Sequence, residues 1–155
     1  MSDPNLQAIL AELRDTNKDK RRTAVMKLGM LGGDDAVRAL IRTLENEYED
    51  LIVRGRAALL LGKVGDNTAI DPLIRALDAP GYQTPLYAAE SLGRLGDKRA
   101  IPALRYLLDN SRDRLQDAVH TALEKLGYDF DTDDDLFLDS LPDTSHEDIE
   151  PQPEL

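Results

Sequence analysis

The stretch from Val53 to Leu77, V-R-G-R-A-A-L-L-L-G-K-V-G-D-N-T-A-I-D-P-L-I-R-A-L, reads as two helices joined by one sharp corner. Val53, Ala57, Ala58, Leu60, Leu61 and Val64 recur at helical spacing and form an apolar stripe along the first helix. Gly65 stands where a helix needs a left-handed residue just past its end, and Asp66, Asn67 or Thr68 is placed to cap the second helix. In that second helix Ile70, Leu73, Ile74 and Leu77 form an i, i+3, i+4, i+7 face. Such a pair has an apolar side on each helix and too little area to stabilise itself. It must stack on copies.

The copies are present. The corner Leu61-Gly62-x-Val64-Gly65-Asp66 returns upstream as Leu28-Gly29-Met30-Leu31-Gly32, at an offset of 61 − 28 = 33. It returns downstream as Leu92-Gly93-Arg94-Leu95-Gly96-Asp97 (92 − 61 = 31), and again as Leu123-Glu124-Lys125-Leu126-Gly127 (123 − 92 = 31). The second helices align in the same register: Val37/Leu40/Ile41/Leu44, Ile70/Leu73/Ile74/Leu77 and Ile101/Leu104/Leu108. Four corners at a nearly constant period predict an all-α, right-handed solenoid of stacked helix pairs. The expected helices lie near 5–15, 19–31, 35–46, 51–64, 68–79, 85–95, 99–110 and 113–126. The first of these has Ile9, Leu10 and Leu13 in register with Leu40, Ile41 and Leu44, so it is a second-type helix that caps the N-terminal end of the stack. In the third copy Thr84-Pro85 replaces Val53-Arg54, which predicts a helix opened by a threonine cap with proline in its first position.

V-R-x-x-A-A-x-x-L-G-x-x-G-D followed by A-I-x-P-L-I-x-x-L resembles the short HEAT-like repeat named after phycobilin lyases, over about Asn5 to Gly127. The resemblance implies a concave side lined by the second helices. It also implies a possible relation to bilin lyase subunits, which would hold an open-chain tetrapyrrole and help attach it to a phycobiliprotein. The same repeat is shared by unrelated adaptors and scaffolds.

Composition places the charge. Of 30 acidic residues, eleven lie in 128–155, where there is no Lys or Arg; the other 30 − 11 = 19 face 19 basic residues in the body. The chain therefore divides into a solenoid over 1–127 and an acidic tail over 128–155, with a short capping helix expected near 133–141 and disorder or partner-induced order beyond it. A neutral body carries no field that would attract nucleic acid. No apolar stretch approaches the roughly 20 residues that span a membrane, and the N-terminal Met1-Ser2-Asp3-Pro4-Asn5 has no basic or apolar segment. With no cysteine in the chain, the reading is a soluble, cytoplasmic protein without disulfides or thiol chemistry.

Chemistry-bearing constellations are scarce. His120 and His146 lie in different regions, and His120 falls in the column of Val25, Ala58 and Ala89, as expected of a packing or boundary residue. The aspartates of 131–135 lack the glycine and twelfth-position glutamate of a calcium loop and read as a solvated helix cap. The Gly62 to Gly65 spacing, repeated at Gly29/Gly32 and Gly93/Gly96, reads as corner geometry and close helix packing, not a phosphate loop. No metal ligand set, Ser-His-Asp or Cys-His arrangement can be assembled, so no catalytic residue, metal or cofactor is assigned.

Surface remains. The outward column of the second helices is Arg42, Arg75 and Tyr106, with Arg105 beside it where earlier repeats carry Ile41 and Ile74. Arginine and tyrosine dominate interface hot spots, so these four are the candidate partner-binding row, joined by Phe130, Phe137 and Leu141 of the tail. The plainer alternative is a solvated face, with Glu45, Asp78 and Asp109 as partners for its cations. The tail is expected either to fold back over the arginines or to be the part offered to a partner. The leading functional reading is a non-enzymatic interaction module binding a protein of unknown identity. The alternatives are a bilin lyase subunit or relative, and a designed consensus repeat, against which the irregular third copy and the idiosyncratic tail both count.

Overall fold

Residues 3–131 are described by a computed structural model, and all regular structure among them is helical. The helices are α1 (Pro4–Leu13), α2 (Lys18–Leu31), α3 (Asp34–Glu45), α4 (Leu51–Val64), α5 (Ile70–Ala76), α6 (Gln83–Leu95), α7 (Ile101–Asp109) and α8 (Asp113–Lys125). The first-type helices α2, α4, α6 and α8 pack in succession, and each second-type helix α1, α3, α5 and α7 packs on the first-type helix that comes after it. The result is the expected α-solenoid, with α1 as an unpaired end helix whose Leu6 and Ile9 are buried. The tail's expected capping helix near 133–141 lies outside the described residues.

One continuous core runs the length of the stack, through Leu28, Leu61, Leu92 and Leu123 of the first-type column and Leu40, Leu73 and Leu104 of the second, all at most 1% exposed. Successive first-type helices come very close because a glycine stands at the contact. A Cβ added to Gly62 would lie 2.7 Å from the Cα of Ser91, and one added to Gly93 would lie 3.0 Å from the Cα of Ala122. The Ser91 hydroxyl uses that proximity to donate to the Ala58 carbonyl, 2.6 Å away on the neighbouring helix. Gly65 and Gly96 take the left-handed conformation, at φ 81° and 73°, and end α4 and α6 as the corner spacing predicts.

Two local expectations are corrected. Instead of one helix over 68–79, a 3₁₀ turn over Asn67–Ala69 precedes α5, and a matching turn over Lys98–Ala100 precedes α7. Pro72 and Pro102 cause this: a proline offers no N–H to the carbonyl four residues back and its ring crowds it, so the entering turn tightens. Asp66 and Asp97 cap those turns through the amides of Thr68 and Arg99. Thr84 is not a cap: α6 starts at Gln83, with no side-chain cap at Tyr82, and Thr84 is 1% exposed inside the helix. His120, in a column otherwise wholly buried, is an exposed boundary position, because among the described residues no further first-type helix covers that side of α8.

Candidate functional site

Arg42 and Arg75 project from equivalent positions of α3 and α5 and are both exposed, as is Tyr106 on α7 at 72%. They hold one position of the repeat, at offsets of 75 − 42 = 33 and 106 − 75 = 31, but their surroundings differ. Arg42 lines a shallow cleft against Leu10, Leu13 and Arg14 of the end-cap region. Arg75 donates to Glu45, 2.6 Å away, tying α5 to α3. Arg105 is turned inward: its Nε donates to the Tyr128 hydroxyl at 3.0 Å and a terminal nitrogen to Asp109 at 2.6 Å. The Glu45 and Asp109 pairings are those of the solvated-face alternative; exposed pairs of this kind contribute about 0–1 kcal/mol each.

Phe130 packs on its own chain, stacked on His120 with centroids 4.4 Å apart and edge-on to Tyr128 at 4.9 Å. The His120 imidazole also lies 3.2 Å from Glu124. The start of the tail therefore covers the column that α8 leaves open. Phe137 and Leu141 lie outside the described residues.

Sequence reasoning missed Arg54. A solvent-side position on α4 is the reading its register suggests, yet it is 6% exposed. Its Nε donates to the Leu44 carbonyl at 3.0 Å, holding the C-terminal end of α3. The guanidinium lines a cleft of about 810 Å³ between the ends of α3 and α5, with Leu44, Pro72, Ala76 and Pro80 as apolar wall and Arg75 opposite. Tyr48, 96% exposed, stands at its rim. The volume falls within the roughly 300–1,000 Å³ of small-molecule sites. A signal was present in the sequence: Arg54 recurs as Arg21 at the 33-residue offset.

An α-solenoid with a cleft where two repeats meet is the class this geometry defines. The HEAT-repeat family description fits residues 6–84, half of the chain, and the PBS lyase HEAT-like repeat fits residues 85–110. The chain belongs to the HEAT-repeat family. It is 38% identical over 111 residues to the phycocyanobilin lyase subunit alpha of a Picosynechococcus species, covering 66% of this chain and 41% of that protein. The corresponding Nostoc subunit is 34% identical over 76% of this chain and 49% of its own length. A HEAT repeat-containing taxis protein of Halobacterium salinarum is 32% identical over 81% of this chain and 33% of that one. Among solved structures, the complex of CpcE and CpcF of phycocyanin lyase from Nostoc superposes with a TM-score of 0.70 at 32% identity, covering 82% of this chain and 55% of that chain. The chain thus spans about half the length of the lyase relatives it matches.

These relatives overturn the leading expectation of a non-enzymatic interaction module, since several of them are lyase subunits or bilin biosynthesis proteins. The error has a physical root. A subunit that works by holding and orienting a chromophore needs no nucleophile or metal cluster of its own, so the lack of such motifs could not separate adaptor from lyase. No helix among the described residues is long and apolar enough to cross a membrane.

Proposed function

We propose that this chain is a bilin lyase subunit or a relative of one, which holds an open-chain tetrapyrrole and assists its attachment to a phycobiliprotein in concert with a second protein. The observation that carries the reading is the likeness to CpcE–CpcF, in which sequence identity and fold agree over four-fifths of the chain. The cleft lined by Arg54 supports it in size and in its apolar wall, with Arg54 as the cation left without a carboxylate partner among Arg75, Glu45, Glu47 and Asp78. The exposed Arg42, Arg75 and Tyr106 column is then the face offered to the protein partner, consistent with concave-face binding by repeat proteins.

An absorbance titration of the full chain with phycocyanobilin tests the reading. Seating a floppy conjugated chain in a cleft restricts its torsions, so a saturable change of the visible spectrum is expected. A spectrum that remains that of free bilin throughout the titration would sink it.

A further inference from the structure

The position occupied by Arg54 can be traced through all four repeats. Arg21 of α2 donates to the carbonyls of Asp15 and Thr16, at 2.9 and 3.0 Å, just beyond α1. Arg54 of α4 donates to Leu44, near the end of α3. In the third repeat the position is Pro85, and in the fourth Gln116 donates to the Leu108 carbonyl at 3.3 Å. The shared task is to hold the C-terminal end of the preceding second-type helix, and a glutamine suffices for it.

What differs is the counter-charge. Glu49 closes on Arg21 with contacts of 3.0 and 3.2 Å to Nε and a further one of 3.0 Å to a terminal nitrogen. Glu49 corresponds to Pro80 in the register of α4 and α6 (49 + 31 = 80) and to Tyr82 in that of α2 and α4 (49 + 33 = 82); neither carries a charge, and Pro80 lines the cleft beside Arg54. Asp78 lines the same cleft without pairing to Arg54, whose one hydrogen bond among the described residues is to Leu44. A guanidinium is charged at every accessible pH and carries five N–H donors in a planar fork. Burying such a group without an anion is costly. Arg21 shows how the fold resolves the cost where no ligand is wanted.

We propose that Arg54 is a carboxylate receptor, binding one propionate of the open-chain tetrapyrrole at the floor of the cleft between the ends of α3 and α5. The inference rests on the lyase-subunit reading and adds the residue and the group it recognises. The rim of the cleft selects this occupant over an acidic peptide such as the chain's own tail. Glu45, Glu47 and Asp78 surround the opening, and they repel a segment with many carboxylates. A tetrapyrrole brings two carboxylates where the tail brings many, and it presents the rim with pyrrole N–H donors, while one propionate reaches the cation beneath and Tyr48 offers a ring face to the conjugated system.

The test compares phycocyanobilin with its dimethyl ester on the full chain and on two variants. Loss of a charge-assisted bond predicts that the ester binds the parent about tenfold to a hundredfold more weakly than the free acid. Arg54→Gln keeps a donor for Leu44, as Gln116 does for Leu108, and is expected to bind acid and ester alike at the ester's affinity. Pro80→Glu returns the carboxylate that Glu49 supplies to Arg21 and is expected to have the same effect with Arg54 still in place. Equal binding of acid and ester by the parent, with a clear spectral change for both, would overturn the assignment of Arg54 while leaving the lyase reading intact. Equal weakening of both ligands by Arg54→Gln would reduce the residue to a structural clamp. Binding of neither ligand by the parent would overturn the lyase reading and the inference with it.

Discussion

Gly62 shows how much a single hydrogen atom in place of a side chain decides in this fold. A methyl group there would meet the Ser91 backbone at 2.7 Å and its hydroxyl at 2.3 Å, and backbone cannot step aside as a flexible side chain would. Gly62→Ala is therefore expected to cost about 1–3 kcal/mol by overpacking, measured by urea denaturation. A midpoint within the usual surface scatter of about 0.5 kcal/mol would show that α4 and α6 are not held at this separation. Asp50 makes a second prediction at this scale. Two hydrogen bonds from the Arg22 guanidinium, at 2.8 and 2.9 Å, and one from the Val53 amide hold its carboxyl down to about 2, against an ordinary 3.8. A depressed folded value means that the stabilisation is complete above about pH 4 and is lost as the pH falls toward 2. Asp50→Asn should flatten the acid limb of a stability-versus-pH curve in that window. An unchanged acid limb would show the pair to be inconsequential.

At the scale of the element, α6 is the irregular one. Like α3, α5, α7 and α8 it lacks a side-chain cap, but it alone of these buries a hydroxyl, that of Thr84, with no hydrogen-bond partner. An unsatisfied buried hydroxyl costs about 1–3 kcal/mol of desolvation, whereas the valine isostere costs none. Thr84→Val is accordingly expected to leave the protein as stable as the parent or up to about 1 kcal/mol more stable. Clear destabilisation in a thermal melt would mean that the hydroxyl has a partner in solution. The short α5 and α7 result from the prolines near their starts. In α5 the last turn tightens as well, with the amides of Leu77, Asp78 and Ala79 each reaching only three residues back.

The whole molecule behaves as a one-dimensional stack, in which each repeat owes its stability to its neighbours. Leu61 and Leu92 occupy the same column in adjacent repeats and are 0% and 1% exposed. Leu→Ala at either should cost about 2–5 kcal/mol. Because the two repeats share an interface, the double variant should depart from the sum of the singles. Denaturation of the four species forms the cycle that checks this, and simple additivity would argue against coupled repeats. Beyond α8, Phe130 stacks on His120 and Tyr128 meets Phe130 edge-on, so that together they form a partial lid.

Most of the architecture was written in the local sequence. The 31- and 33-residue offsets, the glycines that end α4 and α6, the core columns and the exposed Arg42, Arg75 and Tyr106 row all derive from spacing within a helix, which depends on residues three or four positions away. What the tertiary structure alone decided depends on the thickness and reach of neighbouring repeats. Arg54 and Arg21 are the same residue at the same phase of the period, yet Arg21 is neutralised by Glu49 and Arg54 faces a cleft beside Pro80. His120 shares a column with three buried residues and is exposed because no further first-type helix among the described residues packs on it. Periodicity says which side of a helix points inward; only the packed stack says what is waiting on that side, and an unmatched charge acquires its meaning from what is not opposite it.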